Sequence, residues 1–185
     1  MSSAFTKDVD DGGALPDVGE RAVSPHRNLV TREGMAMIDA EIAFLHEAMA
    51  AAEAAGDREK IALAARDLRY WSQRRETAEL SVPEADPDVV RFGMLVGLKS
   101  SDGGKSTSWK ITGEDEADAR HGKISHVSPM AVAMFGKSIG DTISINGHDW
   151  EIASISTDDS ESQPLSRKKT KGSKADRTIN TSAIG

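Results

Sequence analysis

The sequence predicts an α+β protein, an N-terminal antiparallel helical hairpin of coiled-coil type followed by a small antiparallel β-sheet domain with one short helix. Three observations carry this. Apolar residues recur three and four apart through residues 31–80, short β-branched runs separated by glycine turns fill residues 89–157, and a proline-bearing stretch parts the two.

The first arm is read from Met35, Ile38, Ile42, Leu45 and Met49, a heptad seam. The pattern stops at Gly56-Asp57 and resumes as Ile61, Ala64, Leu68, Trp71 and Ala78, with Arg75 interrupting it once. Thr31 is placed to N-cap the first helix, Gly56 to take the left-handed conformation after its end, and Asp57 to N-cap the second. The hairpin therefore turns back within two residues, and its tip presents Asp57 and Glu59 with Glu53 one turn below. Residues 1–30 mix Ser, Gly, Pro and Asp with few large apolar groups and read as a disordered arm. Residues 81–88, with Pro83 and Pro87, read as a linker that leaves hairpin and domain separately organised.

In the second unit, strands are expected at Val89–Leu98, Ser106–Ile111, Thr142–Ile145 and Trp150–Ile155. Between them Ser128 can N-cap a short helix that begins at Pro129 and closes at Gly136. Residues 158–185 carry Arg167, Lys168, Lys169, Lys171, Lys174 and Arg177 and read as a disordered basic tail, with weak phosphate binding as the functional alternative.

Composition excludes several classes of function. A net charge of −7 opposes a general nucleic-acid binder, and the absence of cysteine removes disulfides, thiolate metal sites and cysteine nucleophiles. No apolar run is long enough to span a membrane and no signal-peptide pattern opens the chain, so a soluble cytoplasmic protein, a monomer, is expected.

One set of short motifs in fixed order is specific. Gly113-Glu114-Asp115-Glu116-Ala117-Asp118, Gly122-Lys123-Ile124-Ser125, Ser128-Pro129, Phe135-Gly136-Lys137 and Gly140-Asp141 resemble the C-terminal, FKBP-like domain of the Gre-type transcription elongation factors (GreA/GreB). The family also places a helical hairpin before this domain, entered through a Thr-x-x-Gly like Thr31-Arg32-Glu33-Gly34. The resemblance implies a domain that docks on the rim of the RNA polymerase secondary channel and a hairpin that enters it. It also implies two tip acids that help hold a Mg²⁺ ion of the polymerase's own active site, the protein having no cofactor of its own and not being an enzyme. Carried over residue by residue, Ser125, Ser128, Pro129 and Met130 fall in the polymerase-binding region, Asp57 matches the first tip acid as a weak metal ligand shared with the polymerase, and Glu59 is the other candidate acid.

The position of the family's second acid holds Lys60, and the arms are shorter by roughly one heptad, or ~10 Å at ~1.5 Å per residue. The expected function is a polymerase-binding elongation factor acting on paused or backtracked complexes with little transcript cleavage. The alternatives are a regulator or inhibitor of the Gre superfamily without cleavage activity, and an FKBP-like chaperone or interaction module. Arg66 and Arg69 are candidates to face the nascent transcript, against a reading in which they pair with surface acids. The acidic run at 114–118 reads as a solvated turn, Tyr70 and Trp71 as packing at the junction, and His121 and His126 are assigned no chemistry.

Overall fold

The computed structural model describes residues 15–83, 88–145 and 147–157. The basic tail, residues 1–14 of the arm and residues 84–87 of the proline linker lie outside them. Two helices, α1 (Arg32–Ala55) and α2 (Arg58–Glu76), form the hairpin. Thr31 caps α1 by accepting from the Gly34 N–H at 3.0 Å, and Asp57 caps α2 by accepting from the Lys60 N–H at 3.1 Å. Gly56 takes φ 65°, ψ 22°, and its N–H closes on the carbonyls of Ala52 and Glu53, which is why two residues suffice for the reversal. At ~1.5 Å per residue the 24-residue α1 projects ~36 Å.

The seam is narrower than the periodicity suggests. Ile38, Leu45 and Ala52 are buried at intervals of seven, and they face Ala62, Ala64 and Leu68. Ala62, not Ile61, is the buried residue at the start of α2. Arg75, the seam interruption, is exposed and pairs with Asp39 of α1 at 2.5 Å.

Below the hairpin, β1 (Leu29–Val30) and β2 (Glu79–Leu80) form a two-stranded parallel ladder, so the arm does not run free to residue 30. From Leu15 onward its residues lie along α2, where Glu20 pairs with Arg69 and Arg21 with Asp67.

The second unit is a five-stranded sheet in the order β5-β4-β3-β7-β6, made of β3 (Leu95–Ser100), β4 (Ser106–Thr112), β5 (Lys123–Ser125), β6 (Thr142–Ile145) and β7 (His148–Ser156). It is mixed and not wholly antiparallel, because β5 pairs with β4 in parallel after a crossover through the 3₁₀ turn Ala119–His121. The first strand begins at Leu95, later than the β-branched run suggests, because Gly93 at φ 83° turns the chain. Val90 lies buried before that turn, donating to the Lys137 carbonyl and accepting from Gly136 N–H. The short helix α3 (Pro129–Met134) has Ser128 as N-cap and Pro129 in its first turn, as the sequence suggests. Val96, Leu98, Ile111, Ala131, Met134, Ile143 and Ile152 form the centre of one core between the sheet and α3. No helix among the described residues is long and apolar enough to cross a membrane.

Candidate functional site

Three places bear on function: the joint at the hairpin base, the tip, and the outer face of α3. The joint is built by the acidic run, which is not a solvated turn. Glu116 is 9% exposed, and its carboxylate accepts from the Thr31 N–H at 3.0 Å, the Thr31 hydroxyl at 2.5 Å and the Gly113 N–H at 3.3 Å. The hydroxyl that caps α1 is thus itself held by an acid of the second unit. A Cβ added at Gly34 would lie 2.1 Å from Glu116 Cδ, so glycine there is a requirement of the joint.

Beside it Arg74, only 2% exposed, donates from Nε to Asp115 Oδ2 at 2.5 Å, and its Nη2 lies 3.9 Å from Glu114 Oε2. Asn28 Nδ2 donates to the Arg74 carbonyl at 2.6 Å, binding the strand ladder to α2, and Lys110 of β4 reaches Glu33 at 3.8 Å. A buried arginine is tolerated because carboxylates satisfy it; either partner alone would be an uncompensated charge. Hairpin and domain are therefore joined by a buried polar clamp and are not independent units.

Tyr70 belongs to the same clamp, its hydroxyl donating to Asp115 Oδ1 at 2.6 Å. Burial, then the Asp115 hydrogen bond and charge, push its phenol up to about 12. The stability this contributes is complete below the ordinary phenol value of ~10 and is lost as pH rises from there through the folded value. Tyr70 is the sole tyrosine of the chain, so phenolate absorbance follows it alone. Native protein should titrate near the raised value and urea-unfolded protein at the ordinary one. Coincident curves would mean that the Asp115 contact does not form in solution.

At the tip, both oxygens of Asp57 are engaged by its own helix: Oδ1 accepts from the Lys60 N–H, and Oδ2 lies 2.8 Å from Lys60 Nζ. The Lys60 side-chain hydrogen bond, followed by its backbone N–H, holds the Asp57 carboxyl below its usual range, and Asp57 raises the lysine. Glu59 is exposed in the first turn of α2, where its backbone N–H also favours the charged form of the Asp57 carboxylate. Among the described residues no group of three or more acids and histidines is placed to hold a metal ion.

Leading into α3, the hydroxyls of the two candidate serines, Ser125 at the end of β5 and Ser128 at the N-cap, serve local structure. Ser125 accepts from the Val127 N–H at 3.3 Å, and Ser128 from the Ala131 N–H at 3.2 Å. Met130 is half-buried against the core, whereas Pro129 is exposed and Val132, one helical turn on, is 61% exposed. Sequence reading passed over Val132; the signal available was its i+3 spacing from Pro129 on a helix too short to bury both faces.

Residues 84–157, which hold this sheet and α3, match the family model described as transcription elongation factor, GreA/GreB, C-term. The second unit matches a GreA/GreB C-terminal domain. Transcription elongation factor GreA of Bradyrhizobium sp. (strain BTAi1 / ATCC BAA-1182) is 39% identical over 80 residues, 41% of this chain and 51% of that protein. GreA of Anaeromyxobacter sp. (strain K) is 35% identical over 92 residues, 48% of this chain and 54% of the other. The chain thus spans about half the length of the curated relatives it matches. Among solved structures, the GreA factor homolog 1 (Gfh1) protein of Thermus thermophilus covers 70% of this chain and 99% of its own at 16% identity, with a TM-score of 0.35. That score is too low to transfer any geometry.

Within the matched residues lie Ser125, Ser128, Pro129 and Met130, and also the clamp acids Glu114, Asp115 and Glu116. Arg66, Arg69 and the tip acids lie on the hairpin, outside the matched residues. Arg66 bonds its neighbour Asp67 at 2.9 Å, and Arg69 is held by Glu20. His121 is exposed and bonded to Asp118 at 2.8 Å, and His126 packs edge-on against Phe92.

Proposed function

We propose that this chain is an RNA polymerase-binding elongation factor whose GreA/GreB domain docks at the rim of the secondary channel and aims the hairpin inward. The observation that carries this reading is the buried clamp: a domain resembling this family's is fixed through Glu116 to the N-cap residue of a two-helix rod. Docking by such a domain then sets the direction of the rod. The exposed Pro129–Val132 face of α3 is the docking surface, with the serines holding its backbone in place.

The chain is not itself a catalyst, and its tip contributes little to transcript cleavage. Mg²⁺ prefers carboxylate and water oxygens in octahedral geometry, and usually takes one or two carboxylates. Asp57 would have to surrender its Lys60 ion pair to become one of them, and Glu59 points from another position of the helix. Binding without strong cleavage is the function these residues support.

The test is transcript cleavage by a stalled, backtracked polymerase with and without the protein. Addition should slow or leave unchanged the cleavage rate while the protein co-sediments with polymerase. Lys60→Glu should restore little, because it frees Asp57 without lengthening the arms. Strong cleavage by the parent protein, removed by Asp57→Ala, would overturn the reading of the tip.

A further inference from the structure

The first helix carries a second apolar line that its seam does not use. Met37, Phe44 and Ala51 each precede a buried seam residue of α1 (Ile38, Leu45 and Ala52) by one position, so they run parallel to the seam about 100° around the helix. Helix α2 covers the seam and the arm pairs with α2 at Arg69, which leaves Phe44 61% exposed. Acids flank it: Glu41 and Glu47 stand three residues before and three after Phe44, one on either side of the line. Among the described residues the ion pairs of α1 use Glu33 and Asp39, and neither Glu41 nor Glu47 has a basic partner. An aromatic ring between carboxylates suits a basic peptide, whose Lys and Arg stems cover the ring while the charged heads reach the acids.

Such a peptide lies within reach in the same chain. β7 ends at Ser156, which pairs with Leu95, itself paired with Lys110, so the end of the strand stands two strand spacings, ~10 Å, from Lys110. Lys110 in turn lies 3.8 Å from Glu33 in the first turn of α1. From Glu33 to Phe44 the helix rises over eleven residues, ~16 Å. The ten residues 158–167 can span ~33 Å, and four of the five residues 167–171 are Arg or Lys.

We propose that the outer face of α1 around Phe44 is the docking surface for the chain's own basic tail, residues 167–177. The order of charge agrees along the path. Asp158, Asp159 and Glu161 come first, where Lys110 and Lys123 pair across β4 and β5, and the basic run comes later, where Glu41 and Glu47 stand. The contact is held by charge and covers an aromatic side chain that the hairpin leaves bare. This goes beyond polymerase docking and is tested without polymerase.

The chain has no cysteine, so Ser173→Cys in the full chain places a nitroxide label at one known position. At low salt the label should broaden away the amide signals of Ala43, Phe44 and Ala48 and spare those of Ser72 and Gln73 on α2. The lost signals should return at ~1 M salt, where the screening length falls to ~3 Å. They should also return in Glu41→Gln/Glu47→Gln, which removes the acids without touching the seam. Equal broadening on α2, no broadening on α1, or broadening that survives the salt or the double variant would each overturn the proposal. So would broadening of an unlabelled chain mixed with a labelled one, since the tail would then be binding a second copy.

Discussion

Arg74→Met is expected to destabilise the protein by about 3–5 kcal/mol, the cost of stranding a buried carboxylate when its partner is removed. Arg74 is almost wholly enclosed, and its Nε bond to Asp115 lies where α2 meets the acidic loop. Methionine fills much of the same volume, so the loss would reflect charge and not a cavity. Adding Asp115→Asn to Arg74→Met should recover part of the stability, since the acid then has no charge left to strand. Urea unfolding of the four members of this cycle measures the coupling. Additive effects of the two substitutions would show that the pair does not carry the joint.

The second large effect is expected in binding. Pro129→Glu with Val132→Glu should weaken association with polymerase about 100-fold or more, the range reached when two central apolar contacts are replaced by charges. Both side chains are exposed on α3, so circular dichroism and the unfolding midpoint should stay close to the parent's. Met130→Glu makes the poorer probe because that side chain packs on the core and its loss would confound folding with binding. Undiminished binding by the Pro129/Val132 pair, measured by co-sedimentation, would exclude this face of α3 as the docking surface.

What could be read from the sequence was local. The hairpin, its two-residue reversal, the Thr31, Asp57 and Ser128 caps and the strand at Thr142–Ile145 all follow from residues within a turn or two of one another. The parallel pairs were not legible, since Leu29 meets Glu79 and Lys110 meets Lys123 with nothing in either partner to announce the pairing. The acidic run was misread for the same reason. Charge in a Gly-flanked segment suggests solvent, yet the groups that bury it, Thr31, Tyr70 and Arg74, stand 85, 45 and 41 residues away. At the tip the hold of Lys60 on Asp57 could be anticipated, because capping and the i,i+3 pair are both short-range. The cover over Arg69 could not, since polar, glycine-bearing sequence gives no sign that Glu20 and Arg21 find partners.

The joint at Glu116 also sets a tolerance. A rod of ~36 Å is a lever, and each degree of pivot at its root sweeps the far end by about 0.6 Å. A swing of five degrees, about 3 Å at the end, exceeds the length of a metal–oxygen bond. Aiming accuracy at Asp57 is therefore decided at the other end of the molecule, where the Thr31 hydroxyl and amide share one carboxylate and Gly34 leaves no room for slack.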